Sequence, residues 1–394
     1  MVKVAKRTEK ITYAIRDVVV EADKVKKQGH DILNLNIGDP NVFGHKPPEA
    51  LIEAVTQAMK DNKNGYAHSM GVEEAREAIL KEAERKGIKS DVDSIITTTG
   101  ASEGITLVMQ ALVNSGENIL TPCPGYPLYN ALTNLLEAEH NHYMMDENNQ
   151  WQPDVDDMKK KINDKTKGVV IINPNNPTGA LYSKQTLQEI IDFANEHDLV
   201  IFSDEIYDKL VFDGEQYHSS AALSDDVPIV TFGGLSKNFV APGWRAGWMI
   251  FSGAENEINP LREAVSKLAR ARLCAPHPFQ YAIKPALEHY QHFAEEMRDK
   301  MQINRDIIYK SLNKIEGMSC VKPKGAFYAF PKIEKEITDD KKWVIDLLHK
   351  KHILAVHGTG FGYPTPDHFR VVFLAHPEQL EEACRKIGEF VSRE

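Results

Sequence analysis

The chain is poor in cysteine, in long apolar runs and in clustered charge of one sign. Only Cys123, Cys274, Cys320 and Cys384 occur among 394 residues, and none stands in a CxxC pair. Such scatter argues against a disulfide framework and a zinc site and suits a reducing compartment, so a cytoplasmic location is expected. No apolar stretch approaches membrane-spanning length, so no membrane partner is expected. The opening residues MVKVAKRTEK are charged and lack the apolar core of a signal peptide. No basic tract offsets the formal net charge of −10, which disfavours a nucleic-acid partner. No GxGxxG follows an early strand, which sets aside a dinucleotide dehydrogenase. Repeats and low-complexity segments are absent as well.

What is present is an ordinary globular composition, 42% hydrophobic and 26% charged, at a length suited to two or three compact domains. Short apolar runs alternate with helical patterns through the middle of the chain, which predicts a doubly wound, mostly parallel α/β sheet. Strands are expected at residues 94–98, 118–121, 168–173, 199–203, 229–233 and 246–251. A helix over 183–197 opens with a Ser cap, and 106–113 reads as the body of another. Residues 253–314 look mainly helical, 325–330 and 369–374 read as strands of a small sheet, and 377–392 as a closing helix. The expected division is an N-terminal arm with part of the small domain (1–46), a large domain (47–285) and a small α+β domain (286–394).

Chemically informative residues gather where apolar strands run out into polar tips, the place where open α/β sheets bind ligands. IITTTGASEG, ILTPCPGY, VVIINPNNPTG, LVIFSDEIY and VTFGGLSK all follow this pattern. In the first, Ala101 and Ser102 open a helix whose N–H groups can face an anion, although alone this reads as a plain capped helix. Asp204 ends a buried strand and needs either a cationic partner or a helix to cap. Lys237 follows a Ser-bearing tip, with Arg245 eight residues later, between two core strands. A lysine so placed is desolvated and nucleophilic, and Ser236 and Arg245 can serve a phosphate. NPNNPTG is a tight turn that carries Asn176, and Tyr126 is a loop aromatic able to stack on a ring. Arg370 lies inside an apolar strand and calls for an anion, from a structural ion pair or from a substrate carboxylate.

Taken together, LNIGDP, the Tyr66–Gly71 loop, NPNNPTG, DEIYD, SKxxxxPGWRxGW and FRVVF resemble the class I/II aminotransferases, pyridoxal-phosphate enzymes of fold type I. The resemblance covers nearly the whole chain. It implies that Lys237 carries the cofactor as a Schiff base and shuttles protons. It likewise implies that Asp204 pairs with the ring nitrogen and that Tyr207 and Asn176 bind the ring 3′-oxygen. Ala101, Ser102, Ser236 and Arg245 would hold the phosphate, with Tyr126 stacked on the ring. Gly38 and Arg370 would hold the substrate carboxylate. Tyr66 would reach the phosphate of a neighbouring subunit, which implies a homodimer.

Within that family, YAIRDVV, INPNNPTGA, ARLC and KPKGAFYAFPKI are most similar to bacterial and archaeal alanine aminotransferases. The tip FGGLSK departs slightly from that group's NGLSK. The expected reaction is L-alanine plus 2-oxoglutarate giving pyruvate plus L-glutamate, with Arg16, beside Tyr13, pairing with the distal carboxylate of glutamate. Aspartate and aromatic donors are the first alternative, although some aspartate-type members carry Trp where Tyr126 stands. A C–S lyase on the same scaffold is the second, and a non-enzymatic cofactor-binding regulator is the third.

Overall fold

Runs of Val, Ile and Phe that are buried along both faces cannot stand as half-exposed strands; they need helices above and below. That is how the computed structural model arranges them; it describes residues 2–9, 11 and 14–392, the side chains of 14–17 and 292 excepted. Eight strands form the main sheet: β1 (Ile95–Thr99), β2 (Asn118–Cys123), β3 (Glu139–Asp146), β4 (Gln152–Pro153), β5 (Thr166–Ile172), β6 (Val200–Asp204), β7 (Ile229–Gly234) and β8 (Ala246–Ser252). Their order is β1-β8-β7-β6-β5-β2-β3-β4. β7, β6, β5, β2 and β3 pair in parallel, whereas β8 runs antiparallel between β1 and β7. The sheet is therefore mixed but mostly parallel, as the alternation of strands and helices predicts.

The period of two along each strand sorts the core into two layers. Val169, Ile201, Ile229 and Ile250 face one layer, which takes in Leu187 and Ile190 of helix Lys184–Glu196. Val170, Phe202, Val230 and Phe251 face the other, which takes in Val108 of helix Ala101–Leu112 and Val265 of helix Glu255–Ala271. Ser183 caps the helix it was expected to cap, accepting from the Thr186 N–H at 3.0 Å.

Each expected strand of the large sheet is present, with ends shifted by no more than a few residues. Strand β3 was not foreseen. Its sequence, EHNHYMMD, is largely polar, and only Tyr143 and Met145 are buried along it. The pairing with β2 makes it a strand, since β2 matches it from Asn118–Glu139 to Cys123–Met144. Residues 325–330 yield only the short strand Tyr328–Ala329, because Lys324 and Gly325 give their N–H groups to Gly179 O instead. That strand, Phe369–Val372 and Val356–His357 form a three-stranded antiparallel sheet. The early strand Leu33–Asn34 crosses to pair in parallel with Ile353–Leu354.

At the end of β1 the backbone of Gly100 and Ala101 lies against β8. A Cβ on Gly247 would fall 2.5 Å from Gly100 C and 2.6 Å from Ala101 N, with only backbone to give way. Gly247→Ala is therefore expected to lower folding stability by about 1–3 kcal/mol in denaturant unfolding. It should also weaken phosphate binding by displacing the helix that starts at Ala101, which a cofactor-binding titration would read.

Candidate active site

The carboxyl ends of β2, β5, β6 and β7, together with the end of β1, open onto one cavity of about 190 Å³. Gly38, Ala101, Ser102, Tyr126, Asn176, Asp204, Tyr207, Ser236, Lys237, Arg245 and Arg370 all line it. Eleven of the residues singled out from sequence thus meet in one place, contributed by separate stretches of the chain. Tyr66 does not join them; its side chain is 82% exposed, beside Gly65, whose carbonyl contacts the His277 ring at 2.9 Å. Arg16 belongs to helix Ala14–Lys27, but its side chain is outside the described part, and Tyr13 lies outside the described residues.

At one end of the cavity Arg245 turns back on the helix start. Its backbone is left-handed, φ +55°. Its Nη2 donates to Ser102 Oγ at 3.0 Å and to Thr99 O at 3.2 Å, and its Nη1 donates to Pro242 O at 2.8 Å. Gly100 makes the approach possible, because a Cβ there would sit 2.3 Å from Arg245 Nη2. Ala101 and Ser102 are the first residues of a twelve-residue helix, so their N–H groups have no acceptor within it. A fixed guanidinium, a hydroxyl and the positive end of a helix form a cradle for a phosphate.

Asp204 is 4% exposed at the other end of the polar floor. Burial pushes its carboxyl up to about 7; the Ile206 N–H, donating to Oδ1 at 3.3 Å, opposes this, and Glu205 adds to it. A buried acid in this condition is matched by a protonated ring nitrogen, which would hold it ionised. Lys237 Nζ donates to Gly38 O at 2.6 Å. Its amine is lowered to about 8, first by burial and then by Arg370 and Arg245, with Asp39 and Asp204 pulling the other way. An amine that loses its proton near neutrality can attack a carbonyl.

Arg370 is 1% exposed and donates to Asn176 Oδ1 at 3.0 Å and to Asn36 O. Its guanidinium lies 4.6 Å from the ring centre of Tyr328 and 4.7 Å from that of Phe361. Tyr207 and Tyr328 share a hydroxyl–hydroxyl hydrogen bond of 2.8 Å. Burial raises the Tyr207 phenol well above its ordinary value, so it is a proton donor rather than a phenolate. Sequence reasoning missed Tyr328 and the apolar lining of Ile37, Ile105, Ile172, Ile206 and Pro242. Tyr328 stood within the quoted KPKGAFYAFPKI, where it read as one more strand aromatic.

Behind the cavity the next residues in the chain form a second polar cluster. Lys86 binds Glu205 at 3.1 Å and Asp208 at 2.5 Å. Asn238 donates to Asp208 at 2.6 Å, and Ser203 and Ser219 donate to Glu205 at 3.1 and 2.5 Å. Burial works to lower the Lys86 amine, but Asp208, Glu205 and Glu82 outweigh it and hold the group firmly charged.

A buried acid facing a desolvated lysine, with a phosphate cradle alongside, is the equipment of a pyridoxal-phosphate enzyme. The family model for aminotransferase class I and II matches residues 30–387, and the chain belongs to that family, with pyridoxal phosphate as its cofactor. It is 44% identical over 393 residues to the glutamate-pyruvate aminotransferase AlaA of Haemophilus influenzae, covering 98% of this chain and 97% of that protein. The alanine aminotransferase of Mycobacterium tuberculosis is 40% identical, with 98% of this chain and 91% of that protein covered. The solved structure of an alanine aminotransferase from Pyrococcus furiosus superposes with a TM-score of 0.97 at 43% identity, covering all of both chains.

The Asp204 environment has a measurable consequence. Its carboxyl binds a proton more tightly in the folded chain, near 7, than at its ordinary 3.8, so burial costs nothing at pH 3.8 and below. The cost grows as the pH rises, at about 1.4 kcal/mol per unit, and is complete above pH 7. In the cofactor-free protein, Asp204→Asn removes this titration. Denaturant unfolding should find the variant gaining a few kcal/mol on the wild type between pH 4 and pH 8. Parallel stability curves for the two proteins would contradict the assignment.

Proposed function

We propose that this protein transfers an amino group between L-alanine and 2-oxoglutarate, giving pyruvate and L-glutamate, in two half-reactions on one site. The observation that carries the reading is the meeting of Lys237, Asp204, Arg245 and Arg370 in a single cavity, where burial lowers the lysine amine. The names of the relatives that match along nearly the whole length support alanine and glutamate as the amino acids.

Pyridoxal phosphate, when bound, supplies an aldehyde for attachment to an amine and an electron sink for the substrate's α-carbon. Ala101, Ser102, Ser236 and Arg245 hold the phosphate. Asp204 keeps the ring nitrogen protonated. Tyr207 and Asn176 bind the ring 3′-oxygen, and Tyr126 stacks on the ring. Arg370 and the Gly38 segment take the substrate α-carboxylate. Lys237 Nζ would act as a base near neutral pH, placed to take the substrate's α-proton and to return a proton. Arg16, with Tyr13, pairs with the distal carboxylate of glutamate, which alanine lacks. The protein works in the cytoplasm as a homodimer, with Tyr66 reaching the phosphate of the neighbouring subunit; the exposure of that side chain supports this. We further place the domain limits at 47–285 and 286–394, with 1–46 joined to the smaller part.

Lys237→Ala should reduce transamination by about 10³-fold or more, with unfolding midpoints unchanged to first order. Borohydride should fix the cofactor onto Lys237 in the wild type only, as mass spectrometry of peptides would show. Mixing the yellow enzyme with single amino acids should bleach its visible band rapidly with alanine or glutamate. A fast response to aspartate or tyrosine but not to alanine would overturn the substrate assignment. Pyruvate released from a sulfur amino acid without 2-oxoglutarate would point to a lyase.

A further inference from the structure

Tyr328 touches more of the site than any role above requires. Its hydroxyl lies 2.8 Å from the Tyr207 hydroxyl, and the two rings meet edge to face at 88° with centres 5.6 Å apart. Its face carries the Arg370 guanidinium at 4.6 Å. Its hydroxyl also fills the spot next to Gly38: a Cβ on residue 38 would stand 2.1 Å from that oxygen. The residue is 2% exposed and lines the cavity. One side chain therefore joins the group assigned to the substrate carboxylate, the group assigned to the ring oxygen and the segment whose carbonyl holds Lys237.

We infer that Tyr328 is a positioning residue with two separable parts, its hydroxyl setting the donor strength of Tyr207 and its ring fixing Arg370 for the substrate carboxylate. The first part follows from hydrogen-bond counting. A phenol has one proton to give. When Tyr207 gives its proton to an oxygen of the bound cofactor, its own oxygen can only accept in the bond with Tyr328. Tyr328 is then the donor, and a phenol that accepts a hydrogen bond donates more strongly in turn. The second part follows from packing. The Arg370 guanidinium lies over the ring of Tyr328 and over that of Phe361, and a guanidinium held against aromatic rings is restricted in where its fork can point. The inference rests on the assignment of Tyr207 and Arg370 made above.

The test uses the holoenzyme and two substitutions. Tyr328→Phe keeps the ring and removes the hydroxyl. A weaker donation from Tyr207 favours the protonated form of the coloured group, so the pH midpoint of the visible band should rise by about half a unit. KM for L-alanine should stay within about twofold, because the ring still carries Arg370. Tyr328→Leu removes both parts; KM for L-alanine and for pyruvate should rise roughly thirtyfold, the size of one desolvated cation–aromatic contact. In a Tyr207→Phe background, Tyr328→Phe should move the midpoint no further.

An unmoved midpoint in Tyr328→Phe, while Tyr207→Phe alone shifts it, would overturn the hydroxyl role. Equal shifts with and without the Tyr207 hydroxyl would do the same. A KM that rises as much in Tyr328→Phe as in Tyr328→Leu would overturn the ring role. If Tyr207→Phe itself leaves the midpoint in place, the assignment of Tyr207 fails and the hydroxyl role falls with it. Attachment of the cofactor to Lys237 and the KM arm are read independently of that result.

Discussion

Everything in the site depends on keeping a lysine amine from its ordinary contact with water. Lys237, part-buried in the cavity wall, stays a base because it loses much of its water and because Arg245 and Arg370 repel its proton, while Asp39 and Asp204 limit the effect. Such an arrangement is unstable unless each neighbouring charge has its own partners. Arg245 donates to Ser102, Thr99 O and Pro242 O, and Arg370 to Asn176 and Asn36 O. Asp204 has a backbone N–H but is still reluctant to ionise, which leaves it tuned for a cationic ring. The same desolvation that lowers the lysine amine raises the aspartate carboxyl.

The scaffold holds these groups through the simplest property of a strand. Successive side chains point to opposite faces, so a residue committed to the cavity leaves its neighbour on the far side. Asp204 faces the cavity and Glu205 faces Lys86. Beyond the strands the pairing continues: Tyr207 is followed by Asp208 and Lys237 by Asn238, and these two bind each other. A buried ion cluster of this kind is weak evidence for stability. Its use here is geometric, because it ties the β6 tip, the Lys237 loop and helix Glu73–Lys86 together behind the reacting groups.

The sheet and most of the cavity were legible because both obey local rules. Strands buried on two faces read as unbroken Val/Ile/Phe runs, and each ended in a polar tip, the place where open sheets gather ligand-binding residues. Strand Glu139–Asp146 was not legible, since its polar sequence has no period-two apolar signal and its strand state comes from β2 beside it. Tyr328 was passed over for a related reason. An aromatic in a short strand looks the same whether it faces core or cavity, and only the tertiary meeting with Tyr207 and Arg370 separates the two. The family resemblance named residues that local patterns left ambiguous, and eleven of those line one cavity.

The crossing of Leu33–Asn34 to Ile353–Leu354 ties the two ends of the chain to each other. The stretch just after it supplies Asn36 O to Arg370 and Gly38 O to Lys237. Residues from the first tenth and the last tenth of the polypeptide must therefore meet before the cavity has walls. The strands of the large sheet end at Ser252, so the sheet can pair before the residues that follow have all been made. The reactive lysine, by contrast, has no finished surroundings until Arg370 has been made.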